Sequence, residues 1–387
     1  MRRPYCFAVV LAFVSVVLAL PGRAQDAPHK IKLLTQDTGW ALFNSSLYWT
    51  TDFGKHWRDI TPPGTNGASD VFFLDTFNGW AFIGVPDAGG PDGGVQLVLA
   101  RTSDSGNSWT TFRAELPGWD VRQATPGGSG MLDFIDTMHG WLDLSIESSS
   151  AFNRGALFAT SDGGRTWESV PAPVGFGWVK FISPETGWVA GGPANSELVV
   201  TRDGGKTWQR VRLAPPAGLP PDSTPSYRPP QFVSPREGFL PMSFNGWAAV
   251  VYETADGGMT WRPVVALTGP PGSVGDLSPL PIVDSTLLVP SQNKEGHRSL
   301  SMFSLSGPAP PAPSRLPTRT DVFAATFIDG NRGWVFTGWV YATADGGATW
   351  TDITPKPNRP GPHPASVPRR PVGVGAGSAP TPSSPGQ

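Results

Sequence analysis

Thr160 to Trp167, TSDGGRTW, is one of six eight-residue stretches with Thr first, Asp third, Gly fifth and Trp eighth. The others start at Thr50 (TTDFGKHW), Thr102 (TSDSGNSW), Thr201 (TRDGGKTW), Thr254 (TADGGMTW) and Thr343 (TADGGATW). A phrase returning at such intervals is an internal repeat, and a repeat constrains architecture before any other feature does. The carboxylates of Asp52, Asp104, Asp162, Asp203, Asp256 and Asp345 can accept backbone N–H groups two residues on. The glycine supplies the positive φ of a tight turn. Trp57, Trp109, Trp167, Trp208, Trp261 and Trp350 each bring a large ring to bury beside that turn. The phrase reads as a hairpin turn that carries its own anchor.

Upstream of five of these turns lies a second phrase, an apolar run, a polar turn and Gly-Trp, ending at Trp40, Trp80, Trp141, Trp188 and Trp334; a sixth copy ends at Phe239. Short runs rich in β-branched and aromatic residues, divided by Gly, Asp, Asn and Pro, read as antiparallel strands, two around each phrase. Each unit is then a four-stranded sheet. Asp256 and Asp345 are 89 residues apart, nearly twice an ordinary step, and a degenerate unit at about 278–318 fits the gap. Its strands are expected at 280–283, 287–290 and 298–303, with residues 304–307 where the turn phrase should be. The pattern Ser/Thr-x-Asp-x-Gly-x-x-Trp is similar to the Asp-box, or BNR, motif, and from about residue 29 to 354 the chain resembles Asp-box β-propellers. With the count of units, that resemblance implies an all-β fold, a seven-bladed β-propeller of four-stranded antiparallel blades, which closes on itself and leaves no long exposed edge.

One propeller uses most of the 387 residues and leaves only tails. Gly 47 and Pro 43 fit a turn-rich all-β chain, and 16 Trp with 21 Phe exclude a disordered one. A net charge of −2 argues against a general nucleic-acid binder. Residues 1–24, with Arg2 and Arg3, an apolar run and Ala24, read as a secretory signal peptide. The expected address is therefore periplasmic or extracellular, with no membrane insertion after cleavage; an uncleaved membrane anchor is the rival reading. Cys6 lies within that signal, so the mature chain has no thiol for a disulfide, a metal or a nucleophile. His29, His56, His139, His297 and His363 show no ligand spacing, so neither a metal nor a cofactor is expected. Residues 355–387 are rich in Pro, Gly and Ser and read as a disordered extension.

The two phrases span the first and third turns of each unit and so lie on one face of the propeller. The opposite face carries the variable connections, at 84–94, 113–128, 145–154 and 212–229, and variable loops on a rigid scaffold are where recognition concentrates. Trp119, Trp178 and Trp247 fall in or beside those loops, while Trp49 and Trp339 are expected in third strands. Loop tryptophans can anchor a partner or stack on a sugar; capping the blade interfaces is the alternative. Seven residues before each Gly of the Gly-Trp phrase stand Lys32, Phe72, Asp133, Lys180, Gln231 and Thr326, expected at the channel mouth on the variable face. These polar groups either bind a ligand or form a self-satisfied network in which Asp133 pairs with a lysine.

The export signal, single propeller and paired phrases resemble the photosystem II assembly and stability factor family and its relatives in non-photosynthetic bacteria. The resemblance implies a non-enzymatic scaffold binding a protein or peptide partner, and a monomer is expected. Glycoside hydrolases share Asp-box propellers and are the rival, together with carbohydrate-binding propellers. Sialidase chemistry needs an Arg-Ile-Pro arginine and a Tyr nucleophile with a Glu partner, but no Arg-Ile-Pro occurs, and Tyr48, Tyr252 and Tyr341 fall in third strands. Asp70 and Asp133 are the pair of carboxylates that a hydrolase reading would use. Glucan-cleaving relatives clamp substrate between two propellers, and sortilin-like receptors use a ten-bladed one; this chain has neither.

Overall fold

In the computed structural model, the described residues run from 30 to 356, apart from 44, 66, 87–94, 120–129, 149–152, 172–173, 176, 214, 216–218, 220–222, 245–247, 269–281, 284–285, 293–297, 305–313 and 318–321. The expected signal peptide and most of the C-terminal extension lie outside them. Strands formed by alternating β-branched and aromatic residues pair into seven antiparallel sheets, at 30–59, 70–113, 130–170, 177–210, 225–268, 282–315 and 324–352. In the third, Gly130–Phe134, Gly140–Ser148, Asn153–Thr160 and Glu168–Val170 pair in chain order, and the other four-stranded sheets repeat that meander. The chain is an all-β propeller of antiparallel blades. Blades 1 to 5 are the first five sheets, and the last blade is 324–352. Among the described residues, first and last blades are each one continuous segment, with no strand exchanged between them.

Three local readings are corrected. Blade 5 has five strands, because its inner strand is split into Pro225–Tyr227 and Gln231–Phe232, both paired with Gly238–Phe244. Pro229 and Pro230 lie in the break, and neither has an N–H to continue the ladder. Part of the expected loops at 84–94 and 145–154 is strand, since Gly79–Pro86 pairs with Val95–Thr102 and Gly140–Ser148 pairs with Asn153–Thr160. The sheet at 282–315 contains Ile282–Val283, Thr286–Gln292, Arg298–Ser304 and Ser314–Arg315. Of the segment 304–307 expected in place of the turn phrase, Ser304 ends the third strand and 305–307 lie outside the described residues.

The second phrase explains how blades adhere. Gly140 must be glycine because a Cβ there would come within 2.3 Å of Phe134, the residue opposite it on the inner strand. The ring of Phe134 lies across that glycine and presents its other face to blade 2, where Trp80 stacks on it at 3.8 Å and 7°. Trp141 stacks on Phe181 of blade 4 in the same way, at 3.7 Å and 4°. Such aromatic pairs contribute about 0.5–1.5 kcal/mol beyond the area they bury. The first and last blades close on each other through Ile31 and Leu33 packed with Trp334 and Phe336. Across that seam Trp57 Nε1 donates to the Ile353 carbonyl at 2.7 Å, and Arg332 pairs with Asp37 at 2.9 Å.

Candidate functional site

The six boxes are built alike, and their carboxylates are fully occupied. In the box of blade 3, Thr160 Oγ1 donates to Asp162 Oδ1 at 2.9 Å and accepts the Gly164 N–H at 2.9 Å. Asp162 also accepts the N–H groups of Arg165 and Thr166 at 2.9 and 3.0 Å and the Thr166 hydroxyl at 2.6 Å. The acceptor thus reaches three and four residues on, not the two expected, because the two residues after Asp turn with positive φ. These are Gly163 and Gly164 here (φ 76° and 93°), whereas Phe53 and Ser105 take that conformation without being glycine. The Thr207 hydroxyl, then the Thr207 N–H, hold Asp203 down to about 2. Asp345 is likewise held at about 2, first by the Thr349 hydroxyl.

Each box is also tied to the first hairpin of its own blade. Phe53 donates to the Asp37 carbonyl, Ser105 to Phe77, Gly163 to Met138, Gly204 to Glu185, Gly257 to Arg236 and Gly346 to Asn331, at 2.8 to 3.1 Å. Both turns therefore share one face. The box glycine packs on the preceding blade: a Cβ on Gly164 would meet Leu99 at 2.1 Å, and one on Gly205 would meet Val170 at 2.4 Å. Trp109 Nε1 likewise reaches the Ile60 carbonyl of blade 1 at 2.8 Å. The boxes organise turns and seams.

The inner-strand position also differs from expectation. Lys32 pairs with Trp40, Asp133 with Trp141, Lys180 with Trp188 and Gln231 with Phe239, each one residue from the pair that closes the first hairpin. These side chains stand toward the box end of the channel, not at its variable-face mouth. Asp133 is buried, accepting Lys180 Nζ at 2.8 Å on one oxygen and the Phe181 N–H at 2.8 Å on the other. Asp70 is fully buried and does the same between blades 1 and 3, taking Lys30 Nζ on Oδ1 and the Leu132 N–H on Oδ2 at 2.7 Å. The two carboxylates of a hydrolase reading are thus committed to holding blades together. The Leu33 N–H donates across the closing seam to Thr326 Oγ1 at 3.2 Å, and Gln231 is half-buried. Lys32 is accessible from solvent yet enclosed by blades, and burial first, then the positive charge of Lys180, lowers its pKa.

Of the three candidate tryptophans, Trp119 and Trp178 are half-buried and packed. Trp119 meets Phe158 edge-on at 6.1 Å. Trp178 lies in the inner strand Gly177–Phe181, with Arg228 of blade 5 over its ring at 4.0 Å. Trp247 lies outside the described residues. Among the described residues the aromatic rings that face solvent are Phe77, 61 % exposed in the first hairpin of blade 2 on the box face, and Trp339 and Phe323, 54 % and 55 % exposed. Trp339 sits in the turn between Gly333–Phe336 and Val340–Thr343, not within a third strand, and Gly338 before it takes φ 94°. Phe323 precedes the inner strand Ala324–Phe327 and donates its N–H to the Phe336 carbonyl at 2.8 Å. Trp339 and Phe323 therefore belong to the variable-face end of the last blade. Half-buried Phe43 of blade 1 meets Phe336 at 6.5 Å, carrying the aromatic surface across the seam. Gly before Trp does not mark residue 339 as exposed, since the same dipeptide precedes buried Trp80, Trp188 and Trp334.

Comparison with known proteins gives the fold a family context. Residues 129–268 match the family described as "Photosynthesis system II assembly factor YCF48". The solved structure "YCF48 bound to D1 peptide" has a similar fold at 14% identity and TM-score 0.51, covering 83% of this chain and 91% of that one. The BP39L lectin from Burkholderia pseudomallei is similar at 16% identity and TM-score 0.50, covering 85% of this chain and 100% of the lectin. No curated protein matches the chain. The protein is an Asp-box β-propeller, similar over its third to fifth blades to the photosystem II assembly factor YCF48 family.

Proposed function

We propose that this protein is an exported, non-enzymatic seven-bladed scaffold that binds a protein or peptide partner at its variable face, as an assembly or stability factor for an envelope complex. The sheet at 282–315 is then its sixth blade. The observation that carries the reading is the exposure of Trp339 and Phe323 at one end of the last blade, where large rings cost solvation unless something covers them. Half-buried Trp178 and Trp119 lie on the same face and extend the surface toward blades 3 to 5. A YCF48 structure holds a D1 peptide, which supports a peptide as the class of partner. Occupation of Asp70 and Asp133 by inter-blade bonds supports binding without turnover.

The test is to probe peptide and glycan arrays with the mature protein and with a Trp339→Ala/Phe323→Ala variant. Exposed substitutions of this kind change stability by only about 0.5 kcal/mol, so the variant stays folded. Peptide binding that falls at least about tenfold in the variant supports the proposal, since central aromatic anchors contribute about 2 kcal/mol or more. Glycan binding in place of peptide binding would favour the carbohydrate-binding reading, and hydrolysis of a glycan would overturn the non-enzymatic one. Export is tested separately, by whether the secreted chain begins at Gln25.

A further inference from the structure

Twice in this propeller a buried carboxylate joins a lysine ammonium to the N–H of a neighbouring blade's inner strand. Asp70 joins Lys30 to Leu132, and Asp133 joins Lys180 to Phe181. The donor N–H at Phe181 belongs to the residue paired with the Gly of the first hairpin, as does the Leu33 N–H that Thr326 accepts. At that pair the backbone N–H turns away from the blade's own second strand, toward the blade before it. Phe73 holds the same register against Gly79, so its N–H turns toward blade 1. The blade 1 residue standing there is Lys32, which has donors and no acceptor. Phe72, the matching residue of blade 2, has none either. Among the described residues no carboxylate pairs with Lys32, and the charge acting most on it is the ammonium of Lys180.

We propose that the seam between blades 1 and 2 binds a small oxyanion, a carboxylate or a phosphate, on Lys32 Nζ and the Phe73 N–H. Asp133 is the internal template: one oxygen takes an ammonium and the other a backbone N–H, the arrangement that a free carboxylate reproduces. The site is independent of the aromatic surface on the variable face and does not rest on the peptide-binding reading. The Phe73 N–H lies in a buried strand and loses free energy when no acceptor meets it, while solvent-accessible Lys32 adds positive charge beside it; together these drive uptake of an anion.

The experiment measures thermal unfolding of the full mature chain, at constant ionic strength, against acetate, phosphate and chloride. Parent protein and the Lys32→Arg variant should gain stability saturably with acetate or phosphate, as mass action on a native-state site requires. The Lys32→Met variant should lose that gain, and in anion-free buffer it should melt no lower than the parent, because it removes an uncompensated cation. Equal stabilisation of the Lys32→Met variant and the parent would mean a general salt effect and overturn the site. So would the absence of a saturable response in the parent. A Lys32→Met protein that melts well below the parent in anion-free buffer would show a structural partner for Lys32 and overturn it too.

Discussion

Replacing Asp162 by alanine tests whether an Asp-box is a turn device or a binding site. Four donors converge on this carboxylate: the Thr160 and Thr166 hydroxyls and the Arg165 and Thr166 N–H groups, at 2.6 to 3.0 Å. A net contribution of about 0.5–1.5 kcal/mol per hydrogen bond gives an upper figure of several kcal/mol. The turn is reached by water, which re-satisfies part of what is lost, so about 1–3 kcal/mol is the working range. Unfolding entropy near 2.1 cal/mol/K per residue over roughly 300 residues converts this to a fall in Tm of about 2–5 °C. Asp162→Asn keeps one oxygen acceptor and should lose about half as much. Its carboxylate is also held at about 2: partial desolvation raises the pKa, but the Thr166, Thr160 and Arg165 hydrogen bonds outweigh it. A depressed carboxylate stabilises above its unfolded pKa, and that stabilisation disappears as pH falls from about 4 to about 2. The parent should therefore lose stability through that window more steeply than the Asn variant. Calorimetric melts from pH 2 to 7 give both readouts. Unchanged Tm in the alanine variant together with lost partner binding would refute the reasoning and make the box a recognition site.

Asp143 is buried, and burial pushes its carboxyl well above the ordinary range despite the hydrogen bond from the Gly177 N–H at 2.9 Å. Its folded-state pKa being the higher, it weakens the fold as pH rises above about 4, so Asp143→Asn should raise Tm at pH 7 while leaving it nearly unchanged near pH 3. Gly140→Ala places a Cβ on Phe134 and disturbs its stack with Trp80, so we expect a loss of about 1–3 kcal/mol and altered near-ultraviolet tryptophan circular dichroism. Asp133→Ala strands Lys180 and the Phe181 N–H at the seam of blades 3 and 4; denaturant melts should show a loss of about 1–3 kcal/mol, with less lost in Asp133→Asn.

Much of this fold is legible in eight residues because the box closes within itself. Thr160, Asp162, Gly164 and Thr166 find partners within four positions along the chain, so spacing alone reveals the turn, and six copies reveal the blades. The Gly-Trp phrase was legible as a hairpin but not as a seam, since Trp80 meets Phe134 more than fifty residues away and only the packing of adjacent blades brings them together. The level of Lys32, Asp133 and Lys180 along the channel depends on strand register, which polar character does not reveal, and pairing with Trp40, Trp141 and Trp188 placed them at the box end. Composition likewise could not separate a packed tryptophan from an exposed one. Trp119 and Trp178 are covered by Phe158 and Arg228, residues of other segments, whereas Trp339 stands on a two-residue approach, Thr337-Gly338, with no neighbour close to its glycine. Sequence by itself determined the repeated turn and the β-meander around it, because those interactions are local. Tertiary structure alone decided which carboxylates are consumed between blades and which aromatic rings remain in solvent, because both depend on which residues the closing ring brings face to face.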